Sequence, residues 1–185
     1  MRLLPPAALI VAGAALTLWG AWIPAKAAAS QLLLERAFAA SLAVDEPQRP
    51  WPWADTWPVA RLEAEGRALV VLAEGGGEAL AFGPAHLAAT PAPGEPGVSV
   101  IAAHRDTHFK LLRTLEPGET VTVSSAPGDT GRFVMTGSEV VRDDASGIHP
   151  HDGGRARLAL VTCWPFGAVT PGPLRYIAWL EAEAA

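Results

Sequence analysis

The chain has 185 residues, half of them apolar, with a formal charge of −5 and a single cysteine. Such a length suits one domain with a sizeable core plus an appendage. The acidic balance, with no Lys/Arg run, argues against nucleic acid as a partner, and one cysteine excludes an internal disulfide framework and the Cys-rich zinc patterns.

Between Arg2 and Lys26 lie 23 uncharged residues, Leu3 to Ala25. A membrane-spanning helix needs about 20. Trp19 and Trp22 near the far end of this stretch suit an interfacial belt. Residues 1–26 are therefore expected to form a retained transmembrane anchor; Ala25-Lys26-Ala27 also reads as a small-x-small cleavage site, which leaves a removed signal peptide as the alternative. Residues 27–44 carry Leu32, Leu33, Leu34, Phe38 and Leu42 among alanines and read as a helix. That is too many apolar side chains for a free solvated helix, so it is expected to pack on the domain or lie at the membrane surface. Four prolines between Pro47 and Pro58 then forbid helix. The expected form is an extended arm laid along the domain, with Trp51, Trp53 and Trp57 buried beneath it. This divides the chain into an anchor (1–26), a helical and Pro/Trp-rich arm (27–58) and a strand-rich domain (59–185).

From Val59 the pattern turns to strands. The candidates are Val59–Glu63, Ala68–Ala73, Ala79–Phe82, Val98–Ala103, Thr120–Ser124, Arg132–Val141, Leu158–Cys163 and Leu174–Leu180, separated by Gly- and Pro-rich turns. Short strands in this number predict a mostly-β, closed eight-stranded barrel, because closure removes vulnerable edges. Phe109–Leu115 is expected to add one helical turn.

The chemistry is concentrated at strand ends. Arg157-Leu-Ala-Leu-Val-Thr-Cys-Trp-Pro-Phe166 is an apolar run closed by Cys163, with Pro165 unable to continue a ladder. A lone cysteine is more often a small buried hydrophobe. Here, though, a second apolar run ends in His104, at the head of His104-Arg-Asp-Thr-His-Phe109. A Cys and a His that each close a strand are the ingredients of a thiol nucleophile with an acid/base partner. His108 competes with His104, but His104 directly ends the run. Asp106 is placed either to orient an imidazole or to cap the loop. His149 and His151 lie near Asp143, Asp144 and Asp152, yet no third ligand is fixed by spacing, so a solvated loop is expected and no metal or cofactor is called for. His86 reads as structural.

These motifs resemble the sortases, the cysteine transpeptidases of bacterial surfaces. Leu160-Val-Thr-Cys163 is similar to their Leu-x-Thr-Cys signature, His104–Phe109 to their histidine motif, and Leu174-Arg-Tyr-Ile177 to their arginine strand. Thr-Cys-x-Pro-Phe, together with Trp-Pro-Trp-Ala-Asp at 51–55, is most similar to class GN sortases of Gram-negative bacteria. Trp164 stands where Tyr is more familiar, so the groove wall is expected to differ. The resemblance implies an eight-stranded barrel with Cys163, His104 and Arg175 as the catalytic set and Thr162 and Trp164 as substrate contacts. It also implies a secreted protein substrate with a C-terminal Leu-Pro-x-Thr-Gly-like signal, an amine acceptor, and a single-pass location in the inner membrane with the domain on the periplasmic side. On residue type alone, an ion pair with a loop carboxylate is the commoner fate for an arginine such as Arg175; the Leu-Arg-Tyr-Ile resemblance reverses that order. A thiol hydrolase on the same fold, or an envelope binding module recruiting partners through its Trp/Pro arm, are the competing functions.

Overall fold

The computed structural model describes residues 29–183, apart from 74–75, 126–128 and 153. The anchor expected over 1–26 lies outside the described residues. Among those described, no helix is long and apolar enough to cross a membrane.

Eight strands close a barrel: β1 (Pro58–Ala64), β2 (Arg67–Ala73), β3 (Ala85–His86), β4 (Gly97–Ala102), β5 (Thr120–Ser125), β6 (Thr130–Arg142), β7 (Ala156–Cys163) and β8 (Leu174–Ala182). Their order around the barrel is β1-β2-β3-β4-β7-β8-β6-β5, with β5 pairing back to β1. Two pairings, β2–β3 and β4–β7, are parallel. Side-chain alternation sends one set of residues inward, where Leu62, Ile101, Val123, Phe133, Leu158, Leu160 and Leu180 form the main core. A 3₁₀ helix, His108–Arg113, caps one end by driving Phe109, Leu111 and Leu112 into that core. A second cluster lies on the opposite face of the sheet, where Val98, Val100, Ala159 and Ile177 are covered by Leu87, Val141 and Ile148. The loop carrying Ile148 also touches the start of β4. There Val98 donates its backbone N–H to the Pro150 carbonyl at 2.9 Å, and a Cβ on Gly97 (φ 112°) would lie 2.4 Å from the same oxygen. Only glycine fits that approach.

Residues 29–44 form helix α1, which seats Leu34 against Val70, Leu72 and Ala79. The arm that follows is tied to β2 by Thr56, whose hydroxyl donates to the Ala73 carbonyl at 2.6 Å, and by Ala73, whose N–H donates to the Trp57 carbonyl at 2.8 Å.

Two expectations are corrected. Ala79–Phe82 is not a strand: it belongs to helix α2 (Gly76–Phe82), and the strand that completes the barrel is the two-residue β3. Ala and Leu favour helix, and a short apolar run does not distinguish the two states by periodicity. Trp53 is not buried but 82% exposed, while Trp51 meets Phe82 edge-on at 5.0 Å and Trp57 is half-buried.

Candidate active site

The β4–β7 register places Ala102 beside Val161, and the ladder continues one step further, Ala103 donating its N–H to the Val161 carbonyl at 3.1 Å. Alternation then decides which way each side chain points. On β4, Ile101 and Ala103 face the core while Val98 and Val100 face outward, so His104 falls on the outward side. On β7, Leu158 and Leu160 face inward and Ala159 outward, which puts Cys163 on that same outer face. In the antiparallel β7–β8 pair, Cys163 lies directly opposite Arg175, and directly opposed residues share a face. The sheet therefore brings His104, Cys163 and Arg175 to one side of three adjacent strands, at one end. His104 is exposed; Cys163 and Arg175 are half-buried.

Thr162, one residue before the cysteine, points the other way. It is 3% exposed, and its hydroxyl donates to the Ala103 carbonyl at 2.7 Å. That side chain, expected to contact substrate, is committed to the fold: it straps the ends of β4 and β7 together one residue short of His104 and Cys163. Trp164 stacks on Tyr176 with centroids 5.9 Å apart and meets Phe166 edge-on at 5.4 Å; the Trp164–Pro165 peptide is cis. These rings form a half-buried wall beside the cysteine.

Arg175 is held rather than free. One terminal nitrogen, Nη1, donates to the carbonyls of Gly172 (2.7 Å) and Leu174 (3.0 Å), and Nη2 donates to Asp143 Oδ2 at 3.1 Å. Both readings of this arginine are thus visible in one geometry: it is ion-paired to a loop carboxylate, and it stands opposite the thiol.

Sequence reasoning passed over Arg105. Its side chain is 8% exposed, and its Nη2 donates to the carbonyls of Ala168 and Thr170, the latter at 3.2 Å. It therefore fastens the β7–β8 loop, which follows the cysteine, to the residue next to His104. Nε sits 3.4 Å from Asp106 Oδ2, close enough for charge attraction but not aligned as a hydrogen bond. Asp106 is thus Arg105's partner, not an imidazole's. Nothing local in the sequence marks this role, because both the burial of Arg105 and its acceptors are set by the fold.

His108 starts the 3₁₀ helix. Burial pushes its pKa below the usual 6.5, and repulsion from the His104 imidazole adds to the shift. On the far loop the carboxylates are spent on arginines: Asp144 pairs with Arg142 at 3.0 Å and Asp152 with Arg157. Among the described residues, no group of three or more His, Cys, Asp or Glu is arranged to hold a metal ion. His86 packs its ring nitrogen 2.9 Å from the Pro91 carbonyl.

Residues 61–183 match the Sortase domain family. Sortase D of Bacillus subtilis (strain 168) is 34% identical over 88 residues, which cover 47% of this chain and 43% of that protein. The matched stretch is thus under half of that curated relative. Among solved structures, a Clostridium perfringens sortase D5 transpeptidase superimposes with a TM-score of 0.67 at 19% identity, covering 85% of this chain and 99% of the other. Sortase C-1 from Actinomyces oris gives 0.59 at 26% identity, covering 69% and 76%. Sortase A from Corynebacterium diphtheriae gives 0.63 at 20% identity, covering 72% and 64%.

Proposed function

The chain belongs to the sortase family, and on that premise we propose that it is a cysteine transpeptidase working through Cys163, His104 and Arg175. The Cys163 thiolate attacks the carbonyl of a Thr–Gly-type peptide bond, forming a tetrahedral oxyanion. Arg175, opposite the thiol in the strand register, supplies fixed donors where that charge develops. His104 protonates the leaving amine as the thioester forms, then accepts a proton from the incoming amine that opens it. Thr162 contributes by strapping β4 to β7, and the Trp164 ring forms part of the groove wall.

The observation that carries this reading is the shared face: alternation and register send three chemically complementary side chains outward at the ends of β4 and β7 and the start of β8. The donor is proposed to be a secreted protein with a C-terminal Leu-Pro-x-Thr-Gly-like signal, and the acceptor an amine on a second molecule. Placement in class GN rests on the residues at 51–55 and 162–166. With Leu3–Ala25 as a single-pass inner-membrane anchor, the barrel would work on the periplasmic side.

Mass spectrometry of Cys163 after incubation with a sorting-signal peptide tests the proposal. A peptidyl thioester on Cys163 is expected, discharged to an amide when an amine is added and absent in a folded Cys163→Ala variant. Near-normal turnover by that variant would overturn the assignment. Discharge only to the free acid, with amine present, would make the enzyme a thiol hydrolase.

A further inference from the structure

We propose that the outward face of α1, together with Trp53, is a membrane-docking surface that rests in the headgroup layer of an anionic bilayer. The observation is where the exposed apolar side chains fall. Among the described residues, Leu32 (53% exposed), Leu33 (37%), Leu42 (41%), Val44 (57%) and Trp53 (82%) stand out, whereas the rest of the barrel contributes only Val140 and Val169 to that class. Clustering of this kind marks an interaction site, whereas single exposed hydrophobes need no explanation.

Helical spacing sharpens the pattern. Leu34, Ala37, Phe38 and Ser41 are buried and define the face that packs on β2 and α2. The opposite face carries Ala29, Leu32, Leu33, Arg36, Ala39, Ala40, Ala43 and Val44, all exposed. A surface helix of a soluble domain is polar on its outer side. Here that side bears a single charge, and it is a cation. Glu35 lies at the edge of the stripe, in line with Leu42 seven residues on, and its carboxylate is 3.7 Å from Arg61 on the barrel; Asp45 and Glu46 lie beyond the helix end. The Trp53 ring stands out beside the helix and shares a cleft with Ala29, Leu33, Trp51, Phe82 and the exposed Asp55 at its edge.

Three features select a bilayer over a protein as the occupant. The uncharged stretch Leu3–Ala25 ends four residues before the first described residue of the helix, which keeps this face next to any membrane that stretch enters. Trp is the side chain most at home at the headgroup boundary, with an apolar body and a polar N–H. Arg36, alone in an apolar stripe, extends its charge to lipid phosphate while its stem stays among the leucines. An interfacial helix of this type buries its apolar face a few ångströms below the headgroups. The contact would lie on the β2 side, with β3 and β4 between it and the strand that carries Cys163. The proposal stands independently of the transpeptidase reading.

The test uses the full chain in a Cys163→Ser background, mixed with vesicles of phosphatidylethanolamine and phosphatidylglycerol. Nitroxides are attached through Leu33→Cys, Ala40→Cys or Trp53→Cys, with Val169→Cys, fully exposed in the β7–β8 loop, as reference. Flotation reports whether the chain holds to vesicles, and collision with oxygen against a water-soluble nickel chelate reports depth. The expected result is co-flotation with a several-fold higher oxygen-to-nickel ratio at 33, 40 and 53 than at 169. Leu33→Glu with Trp53→Glu should return the probe at 40 to the value at 169 while flotation and melting temperature persist, because both side chains are exposed. Co-flotation with all four probes equally wet overturns the docking surface and leaves the anchor standing. Failure to float overturns both. Probes shielded from oxygen and nickel alike would assign the face to a protein partner or a second copy, and would overturn the lipid assignment.

Discussion

The Thr162 hydroxyl donates to the carbonyl of Ala103 across 59 residues of sequence, and the two residues that follow this pair in the chain are Cys163 and His104. The bond is buried and short, so it sets the spacing between the two strand ends from which the proposed reacting groups project. Thr162→Val keeps the shape and removes the donor. It should cost about 1–3 kcal/mol, because the Ala103 carbonyl is left unpaired in a dry site. It should lower kcat more than it raises KM, whereas Thr162→Ser restores both. Denaturant unfolding and steady-state kinetics on the three proteins check this.

Arg175 divides its guanidinium between two carbonyls and Asp143. If it stabilises the oxyanion, Arg175→Ala should lower kcat by about 10²–10³. Arg175→Lys keeps charge but not the planar fork, so it should recover only part of that loss. Asp143→Asn leaves the arginine in place with one charge-assisted bond weakened, and a smaller fall in kcat is expected. Measuring melting temperature alongside separates the roles: a purely thermal effect at Arg175 would remove it from the catalytic set.

Arg105 is expected to act on the loop it clamps. Arg105→Ala leaves the Ala168 and Thr170 carbonyls without their charged donor, at about 1.5–3 kcal/mol for such a bond. Hydrogen exchange should accelerate within residues 164–173 while β1, β2 and β5 keep their protection. Arg105→Lys, with no rigid fork to span two carbonyls, should behave nearly as poorly. Unchanged exchange in that loop would show that the clamp carries no load.

His108 gives the fold an acid-sensitive point. Its pKa is lowered in the folded protein, chiefly by burial and then by His104. Below 6.5 the unfolded chain therefore binds the proton more readily, so the stability contributed by neutral His108 is full above 6.5 and lost as pH falls through the lowered folded value. His108→Gln should flatten the acid side of a melting-temperature profile and leave the neutral side nearly unchanged. A wild-type profile already flat below pH 6.5 would contradict the shift.

What the sequence disclosed follows the range of the interactions involved. β4 and β7 were readable because Val98–Ala103 and Leu158–Cys163 are dense in branched apolar residues closed by a residue of contrasting chemistry. The same local logic failed at Ala79–Phe82, where propensity favours helix, and at β3, whose two residues are strand only because β2 and β4 lie on either side. Trp53 was expected to be buried on residue type alone, yet the turn at 51–54 brings Trp51 and Ala54 inward and sends Trp53 out. Arg105 sits inside the His104–Phe109 stretch, but its acceptors lie 63 and 65 residues away. No local pattern reports a partner at that distance.

β7 is flanked by β4, far earlier in the chain and parallel to it, and by β8, which follows it. A chain leaving the ribosome presents His104 long before Cys163, and Arg175 later still. Loop closure on that scale is slow to nucleate, since its entropy must be met before any pairing is gained. The outward face shared by His104, Cys163 and Arg175 therefore exists only once β7 has paired with β4 on one side and β8 on the other.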